Sequence, residues 1–283
     1  MIKSVGVVGA GTMGRGIAKV AAFAGLEVTL VDVSPDLLKS AMAKIKADVR
    51  SGVEKGKITA TEGTEALAAI HVRKSISDLG NVDFVVEAAV EDLTVKKEIF
   101  SRLDAIVAPE VVLSSNTSSL SITAIASLTK SPESVVGLHF FNPATVMKLV
   151  EVVRGKQTSD QTVKTTCDLA AKMKKVPVVC RDTPGFIVNR IARPFYGEAL
   201  RLLGEGVATV EEIDRIVKLE GGFKMGPFEL MDLIGIDVNY AVTKSVYEQF
   251  FQEPRFRPHP IQRQMVEAGT LGRKTKKGFY IYK

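Results

Sequence analysis

The chain has 283 residues, 46% hydrophobic and 25% charged, which places it among ordinary folded proteins and excludes a disordered or fibrous chain. That length carries one large domain or two of moderate size, and two is the better expectation. A net charge of +6 suits nucleic acid but equally a small polyanion such as a dinucleotide or a phosphorylated carrier, so charge alone does not choose.

Residues 4–8 are a Val-rich run bounded by glycine, as a strand buried on both faces requires. Ile17, Val20, Ala21 and Ala24 then recur at three- and four-residue spacing up to Gly25, which predicts a helix ended by glycine. Residues 27–32 read as a second strand, completing a β-α-β unit. A long helix over 35–55, a strand over 83–87, a charged helix over 92–107 and strands over 111–114 and 135–140 continue the alternation. Such alternation predicts an α/β architecture with a parallel, doubly wound sheet. Another apolar strand, 148–153, is placed to run antiparallel to 135–140, and 176–180 is the last of the series. From Pro184-Gly185 onward, helical patterns over 186–203, 210–219, 227–234 and 238–251 are separated by Gly and Pro, while 204–206 and 253–260 read as connections. The expected boundary lies near Thr183, dividing the chain into an α/β domain over 1–183 and a smaller all-helical domain over 184–283.

Gly9-Ala10-Gly11-Thr12-Met13-Gly14 fits G-x-G-x-x-G and falls between a predicted strand and a predicted helix, the context the motif needs. Gly9 permits the tight turn, Gly11 lets the backbone approach a pyrophosphate, and Gly14 permits close helix–strand packing. Asp32, 21 residues beyond Gly11 and at the end of the second strand, supplies a carboxylate for an adenosine ribose diol. These features predict a Rossmann-type dinucleotide site. Asp32 repels a 2′-phosphate and no arginine follows it closely, so NAD is the expected cofactor and NADP the alternative. The plain alternative for Asp32 is a turn or helix-capping acid, since Ser34-Pro35 follows.

His139 ends a strand-like apolar run where the chain turns polar, and Glu151 lies in the next strand, so the two could meet as a tuned base. Judged alone, a satisfied core histidine and an edge-strand glutamate are the favoured reading of the pair. Cys167 and Cys180 are too few and too unpatterned for a disulfide framework or a zinc site; no metal is expected, a reducing compartment is, and neither cysteine is placed as a nucleophile. No apolar stretch approaches the roughly 18 residues of a membrane span. Met1-Ile2-Lys3 leads directly into a strand pattern with no targeting segment, so the expected location is the cytoplasm, with neither membrane nor nucleic acid as partner. The densest basic cluster, Arg273, Lys274, Lys276 and Lys277, reads equally as a solvated tail or an anion contact.

Several longer motifs occur in a recognisable order: Ser115-Asn116-Thr117-Ser118-Ser119-Leu120, Gly137-Leu138-His139-Phe140-Phe141-Asn142-Pro143, Met147-Lys148-Leu149-Val150-Glu151-Val152, and Asp182-Thr183-Pro184-Gly185-Phe186-Ile187-Val188-Asn189-Arg190. Met225-Gly226-Pro227-Phe228-Glu229-Leu230, Gly272-Arg273-Lys274 and Gly278-Phe279-Tyr280 follow. With the glycine loop, these resemble the 3-hydroxyacyl-CoA dehydrogenase family, in particular its bacterial 3-hydroxybutyryl-CoA members, over essentially the whole chain.

The resemblance implies His139 as catalytic base, Glu151 as its partner, and Ser118 and Asn189 as polar contacts to the reacting group, with Ser118 also touching the cofactor. From the residues alone, a helix cap is the plain reading of Ser118, and a cap or packing amide that of Asn189. The resemblance further implies Glu91, Lys96, Asn142 and Lys274 around NAD, where the alternative is a solvated charged face, and a lysine for CoA, for which Lys55 is favoured over Lys57. It implies interconversion of an (S)-3-hydroxyacyl-CoA, four-carbon or a longer or dicarboxylic chain such as 3-hydroxyadipyl, with its 3-oxo form. A non-catalytic dinucleotide-binding protein is the competing class, and the intact His139, Glu151, Ser118 and Asn189 argue against it. Phe228, Leu230, Leu233 and Ile234 exceed what a small helical core needs, so a homodimer through the helical domain is expected, the alternative being packing against the first domain.

Overall fold

The computed structural model describes residues 2–283, which divide into two compact units, one ending at Thr183 and the other spanning Pro184–Lys283. In the first unit, eight strands form one sheet: β1 (Ser4–Val8), β2 (Glu27–Val31), β3 (Ile70–Arg73), β4 (Phe84–Glu87), β5 (Val112–Ser115), β6 (Val135–Phe140), β7 (Leu149–Arg154) and β8 (Val176–Arg181). Their order is β3-β2-β1-β4-β5-β6-β7-β8. Pairing is parallel from β3 through to β6, then β7 runs antiparallel to β6 and β8 parallel to β7. The reversal follows from the connection: residues 141–148 contain no crossover helix, so the chain can only return beside the strand it has just left.

The helices of this unit are α1 (Thr12–Phe23), α2 (Pro35–Glu54), α3 (Ala60–Ala68), α4 (Leu93–Asp104), α5 (Ile122–Ala126) and α6 (Asp160–Lys172). Val5, Val7, Val28, Leu30, Phe84 and Val86 are fully buried in the core, each contributing about 1.5–3 kcal/mol of burial. Because β1 and β4 are neighbours although β2 and β3 intervene in sequence, connections leave this point in opposite directions and open a crevice at the carboxyl ends of the strands.

The sheet is wider than the sequence pattern predicts. Strand β3 goes unpredicted because it is a four-residue edge strand with only Ile70 buried, too short for its apolar alternation to stand out. Helices α3, α5 and α6 occupy stretches where the pattern predicts no element, although α3 begins with a capping box, Thr59 and Glu62, that is a readable start signal.

The second unit consists of α7 (Val188–Gly204), α8 (Val210–Leu219), α9 (Pro227–Ile234), α10 (Ile236–Gln249) and α11 (Pro260–Glu267) around Tyr196, Leu200, Ile213, Phe228, Met231 and Ile236. Helix α7 starts two residues later than expected, since Gly185 and Phe186 both have positive φ (74° and 49°) and form the turn before it. Helix α11 follows directly on the connection at 253–260 and starts at a proline in its first turn, with the His259 side chain as its cap.

Two buried carboxylates organise this unit. Asp214 accepts the amides of Phe228 and Glu229, both at 2.9 Å, and so caps α9 from α8, while also accepting the Tyr280 hydroxyl at 2.9 Å. A Cβ on Gly226 would lie 2.3 Å from that carboxylate, which is why glycine stands there. Asp232 accepts the amides of Phe279 and Tyr280 and the Tyr282 hydroxyl, tying down the tail. Phe228 corrects the surface expectation: it is fully buried with its ring 4.7 Å from that of Phe279, and Leu230 is partly buried against the same core. Leu233 and Ile234 are exposed, as are Ile216, Leu219 and Val238. No helix among the described residues is long and apolar enough to cross a membrane.

Candidate active site

At the carboxyl end of β1, the three motif glycines answer to three different constraints. Gly9 has φ 101° and donates its N–H to Val31 at 2.7 Å; a Cβ there would meet the Ala88 carbonyl at 2.6 Å. Gly14 lets α1 approach the loop, because a Cβ would lie 1.8 Å from the Gly9 carbonyl oxygen. Gly11 has nothing within 4 Å of where a Cβ would stand, so the space in front of it is open. Helix α1 starts from Gly11 with no side-chain cap and no acid in its first turn, leaving its N-terminal amides and positive dipole end for an anion.

Asp32 is partly buried at the end of β2 and accepts the Ala10 amide at 2.8 Å and the Ser34 amide at 2.9 Å. It thus serves as a turn acid, while the α2 cap is Ser34, which accepts from Leu37. An ionised carboxylate has about four acceptor sites, so these two bonds leave capacity for a ribose diol. Open space before Gly11, an uncapped helix start and an acid tied to the same loop fit a dinucleotide.

At the carboxyl end of β6, His139 stands directly opposite Glu151 of β7, and its Nδ1 lies 2.7 Å from Glu151 Oε2. Both residues are buried, and the Phe141 ring lies 4.5 Å from the imidazole. A carboxylate only accepts, so Nδ1 carries the hydrogen and Nε2 is the basic nitrogen of the neutral ring. Such a pair can take up a proton at Nε2 and stabilise the resulting imidazolium. Cys180 on β8 feels Glu151 as well: burial, then the charges of Glu151 and Asp182, push its thiol up to about 12, so it is not a thiolate near neutrality.

Between these two sites, Ser118 follows the end of β5. Glu91 Oε1 accepts the Thr117 hydroxyl at 2.6 Å, the Ser118 amide at 2.9 Å, and the hydroxyls of Ser118 and Ser119 at 3.2 and 3.4 Å. The capping role belongs to Ser121, which accepts from Ala124 at the start of α5, so Ser118 is not the cap. Lys96 is 1% exposed and donates to both oxygens of Glu87 at 2.7 and 2.9 Å, which overturns the solvated-face alternative for this lysine. Its Nζ also lies 3.5 Å from Glu91. Burial opposes the charge of Glu91, but Lys96 and the donors on Thr117 and Ser118 outweigh it and hold the carboxyl below its usual range.

Two residues here escape the sequence reading. Asn116 accepts the Phe140 amide at 2.9 Å, fastening the end of β5 to the residue after His139. Glu87 also accepts the Ser115 hydroxyl and the Ala89 amide, both at 2.6 Å. A lone carboxylate closing an otherwise apolar strand is the signal that could have found Glu87.

Asn142 is exposed in the 141–148 connection and joined to Pro143 by a cis peptide. The buried ammonium of Lys175 holds this connection through the carbonyls of Ala144 and Met147. Lys55 is the C-terminal cap of α2 and, with Lys57, Lys19, Lys148, Lys174 and Lys175, lines an open groove of about 1000 Å³. Asn189 and Lys274 belong to the helical unit: Asn189 is the second residue of α7, and Lys274 donates to both oxygens of Asp237 at 2.6 Å. Helix α7 starts from Ile187 without a side-chain cap, so Asn189, inside its first turn, is not its N-cap.

Comparison with known proteins places this geometry. Residues 4–183 match the 3-hydroxyacyl-CoA dehydrogenase NAD-binding domain, and residues 185–282 match the C-terminal domain of the same enzymes. The chain belongs to the 3-hydroxyacyl-CoA dehydrogenase family. Its first unit is therefore the family's NAD-binding domain, and NAD is the cofactor. The chain is 49% identical to a 3-hydroxyadipyl-CoA dehydrogenase of Escherichia coli, matching over 100% of its own length but only 59% of that relative's. It is 46% identical to a 3-hydroxybutyryl-CoA dehydrogenase of Bradyrhizobium diazoefficiens, covering 100% of this chain and 96% of the relative. The crystal structure of (S)-3-hydroxybutyryl-CoA dehydrogenase from Ralstonia eutropha superposes with a TM-score of 0.96 at 43% identity, covering 100% of both chains.

Proposed function

We propose that this family member interconverts (S)-3-hydroxybutyryl-CoA and acetoacetyl-CoA, with His139 as the proton-transferring group. The observation that carries the reading is the 2.7 Å bond between His139 and Glu151 at the same sheet edge as the glycine loop. In the oxidative direction His139 Nε2 takes the proton of the C3 hydroxyl, and Glu151 stabilises the imidazolium formed. NAD supplies the acceptor for the hydride that leaves C3. In reduction the imidazolium returns the proton to the oxygen. Ser118, and Asn189 from the helical unit, are the polar contacts to the reacting oxygen that the resemblance implies.

The residues proposed to hold NAD are Gly9, Ala10, Gly11, Thr12, Met13, Gly14 and Asp32, with Ser118, Glu91, Lys96, Asn142 and Lys274 added by resemblance. Asp32 disfavours a 2′-phosphate, so NADH is preferred over NADPH. Lys55, in a groove lined by six lysines, is the proposed phosphate contact of CoA. A second reading, a longer or dicarboxylic chain, is favoured by the 49% identity to the Escherichia coli 3-hydroxyadipyl-CoA dehydrogenase. The exposed apolar residues Ile216, Leu219, Leu233, Ile234 and Val238 support a homodimer through the helical unit.

Steady-state kinetics with 3-oxoacyl-CoA substrates from C4 to C10 and with 3-oxoadipyl-CoA, against NADH and NADPH in parallel, tests the substrate and the cofactor preference. Acetoacetyl-CoA with NADH is expected to give the highest kcat/KM. A higher value for 3-oxoadipyl-CoA selects the second reading, and absence of hydride transfer from every pair refutes both.

A further inference from the structure

The carboxyl ends of β4 and β5 are joined by a chain of charges in which Glu87 has no part in the chemistry proposed above. Glu87, fully buried, takes both of its oxygens into bonds with Lys96, the Ser115 hydroxyl and the Ala89 amide. Ser115 in turn accepts the Thr117 amide at 3.2 Å. Lys96 reaches past Glu87 to Glu91 at 3.5 Å, and a single oxygen of Glu91 gathers Thr117, Ser118 and Ser119. The segment 117–120 is thus fastened to Glu91 through three hydroxyls and the Ser118 amide and to the Glu87 pair through Ser115, while Thr117 Oγ1 accepts the amides of Ser119 and Leu120.

Burying an ion pair this completely is not a cheap source of stability, since two hydrophobic side chains of the same volume commonly serve as well. What a hydrophobic pair cannot provide is a fixed positive charge beside Glu91. We propose that the buried Glu87–Lys96 pair is a positioning element for Ser118: Lys96 supplies the charge that holds the Glu91 carboxylate, and Glu91 sets the hydroxyls of 117–119 and the Ser118 amide. Glu87 neutralises Lys96 and orients its ammonium. Lys96 and Glu87 then act through Glu91 and are positioning residues. The importance of Ser118 to turnover rests on the function proposed above, whereas the ordering of the loop does not.

Lys96→Met alone strands the Glu87 charge, so the charge-neutral pair Glu87→Gln/Lys96→Met is the decisive variant, compared with Glu91→Gln and the triple variant. Hydrogen–deuterium exchange of the amides at 117–120 reads the loop without any turnover. Both the neutral pair and Glu91→Gln are expected to speed that exchange about tenfold or more. Turnover with acetoacetyl-CoA and saturating NADH is expected to fall about tenfold in kcat, and the triple variant to match Glu91→Gln within about twofold. Exchange within twofold of wild type in either variant overturns the proposal, as do kcat losses that multiply in the triple variant. A tenfold weaker NADH Kd with unchanged loop exchange makes Lys96 a cofactor ligand instead. If the wild-type protein turns over no acyl-CoA, the proposed function fails while the exchange experiment still decides the positioning role.

Discussion

His139 and Glu151 are direct cross-strand partners of β6 and β7, buried together, with 2.7 Å between Nδ1 and Oε2. The pairing register alone brings them together, because side chains directly opposite in an antiparallel pair stand on the same face. Glu151→Gln keeps an acceptor for the Nδ1 hydrogen but removes the charge that stabilises the imidazolium. We expect kcat to fall about 10²- to 10⁴-fold with NADH binding unchanged, and His139→Gln to lose turnover at least as severely. Stopped-flow hydride transfer alongside fluorescence titration of NADH checks both; retained turnover in His139→Gln refutes the assignment of the base.

Gly11 and Gly14 are expected to separate cofactor binding from folding. A methyl group at Gly11 meets no protein atom within 4 Å, so Gly11→Ala should keep the wild-type Tm. It should still weaken NADH binding about tenfold or more by filling the space proposed for the pyrophosphate. At Gly14 a Cβ only 1.8 Å from the Gly9 carbonyl oxygen forces the helix off the loop, so Gly14→Ala should cost both binding and a Tm drop of about 3–10 °C. Equal Tm losses in the two variants would contradict this division.

Glu91 has a folded-state pKa below its ordinary value, so its ionised form favours the folded protein. That contribution is fully present above the unfolded carboxylate pKa near 4.5 and is lost as pH falls through the lowered folded value. The Tm difference between wild type and Glu91→Gln should therefore be constant from pH 7 down to about 5 and shrink toward zero below pH 4. A difference that grows on acidification would show the opposite sign of shift.

For the helical unit, light scattering at micromolar concentration should give about twice the 30.6 kDa chain mass. Leu219→Glu places a charge on an apolar residue that is 71% exposed in the single chain, and is expected to lower that mass without lowering the α-helical circular dichroism. A monomeric wild-type protein rules out the assembly.

Much of the sheet was legible because its central strands announce themselves. Val5, Val7, Val28, Leu30, Phe84 and Val86 lie in short apolar runs of the kind that only a strand covered on both faces requires. Strand β3 was not legible, because an edge strand with one buried residue leaves no such pattern. Phe228 illustrates the same limit from the other side: its apolarity was plain, but whether it faced a partner or its own core depended on Phe279, 51 positions later in the chain, folding back against it.

By itself, the sequence determined the kind of fold, the dinucleotide loop, and the identities of the chemically capable residues, since glycine spacing, apolar periodicity and local motifs are all encoded within short windows. Only the tertiary structure decided which carboxylate does what. Glu151, Glu91, Glu87 and Asp32 look alike as isolated acids. One faces an imidazole across a strand pair, one gathers a serine loop, one lies buried against Lys96, and one ties two turns beside the glycine loop. A carboxylate takes its role from the donors and charges around it, and those arrive from residues as many as 28 positions away, brought together only when the strands close side by side.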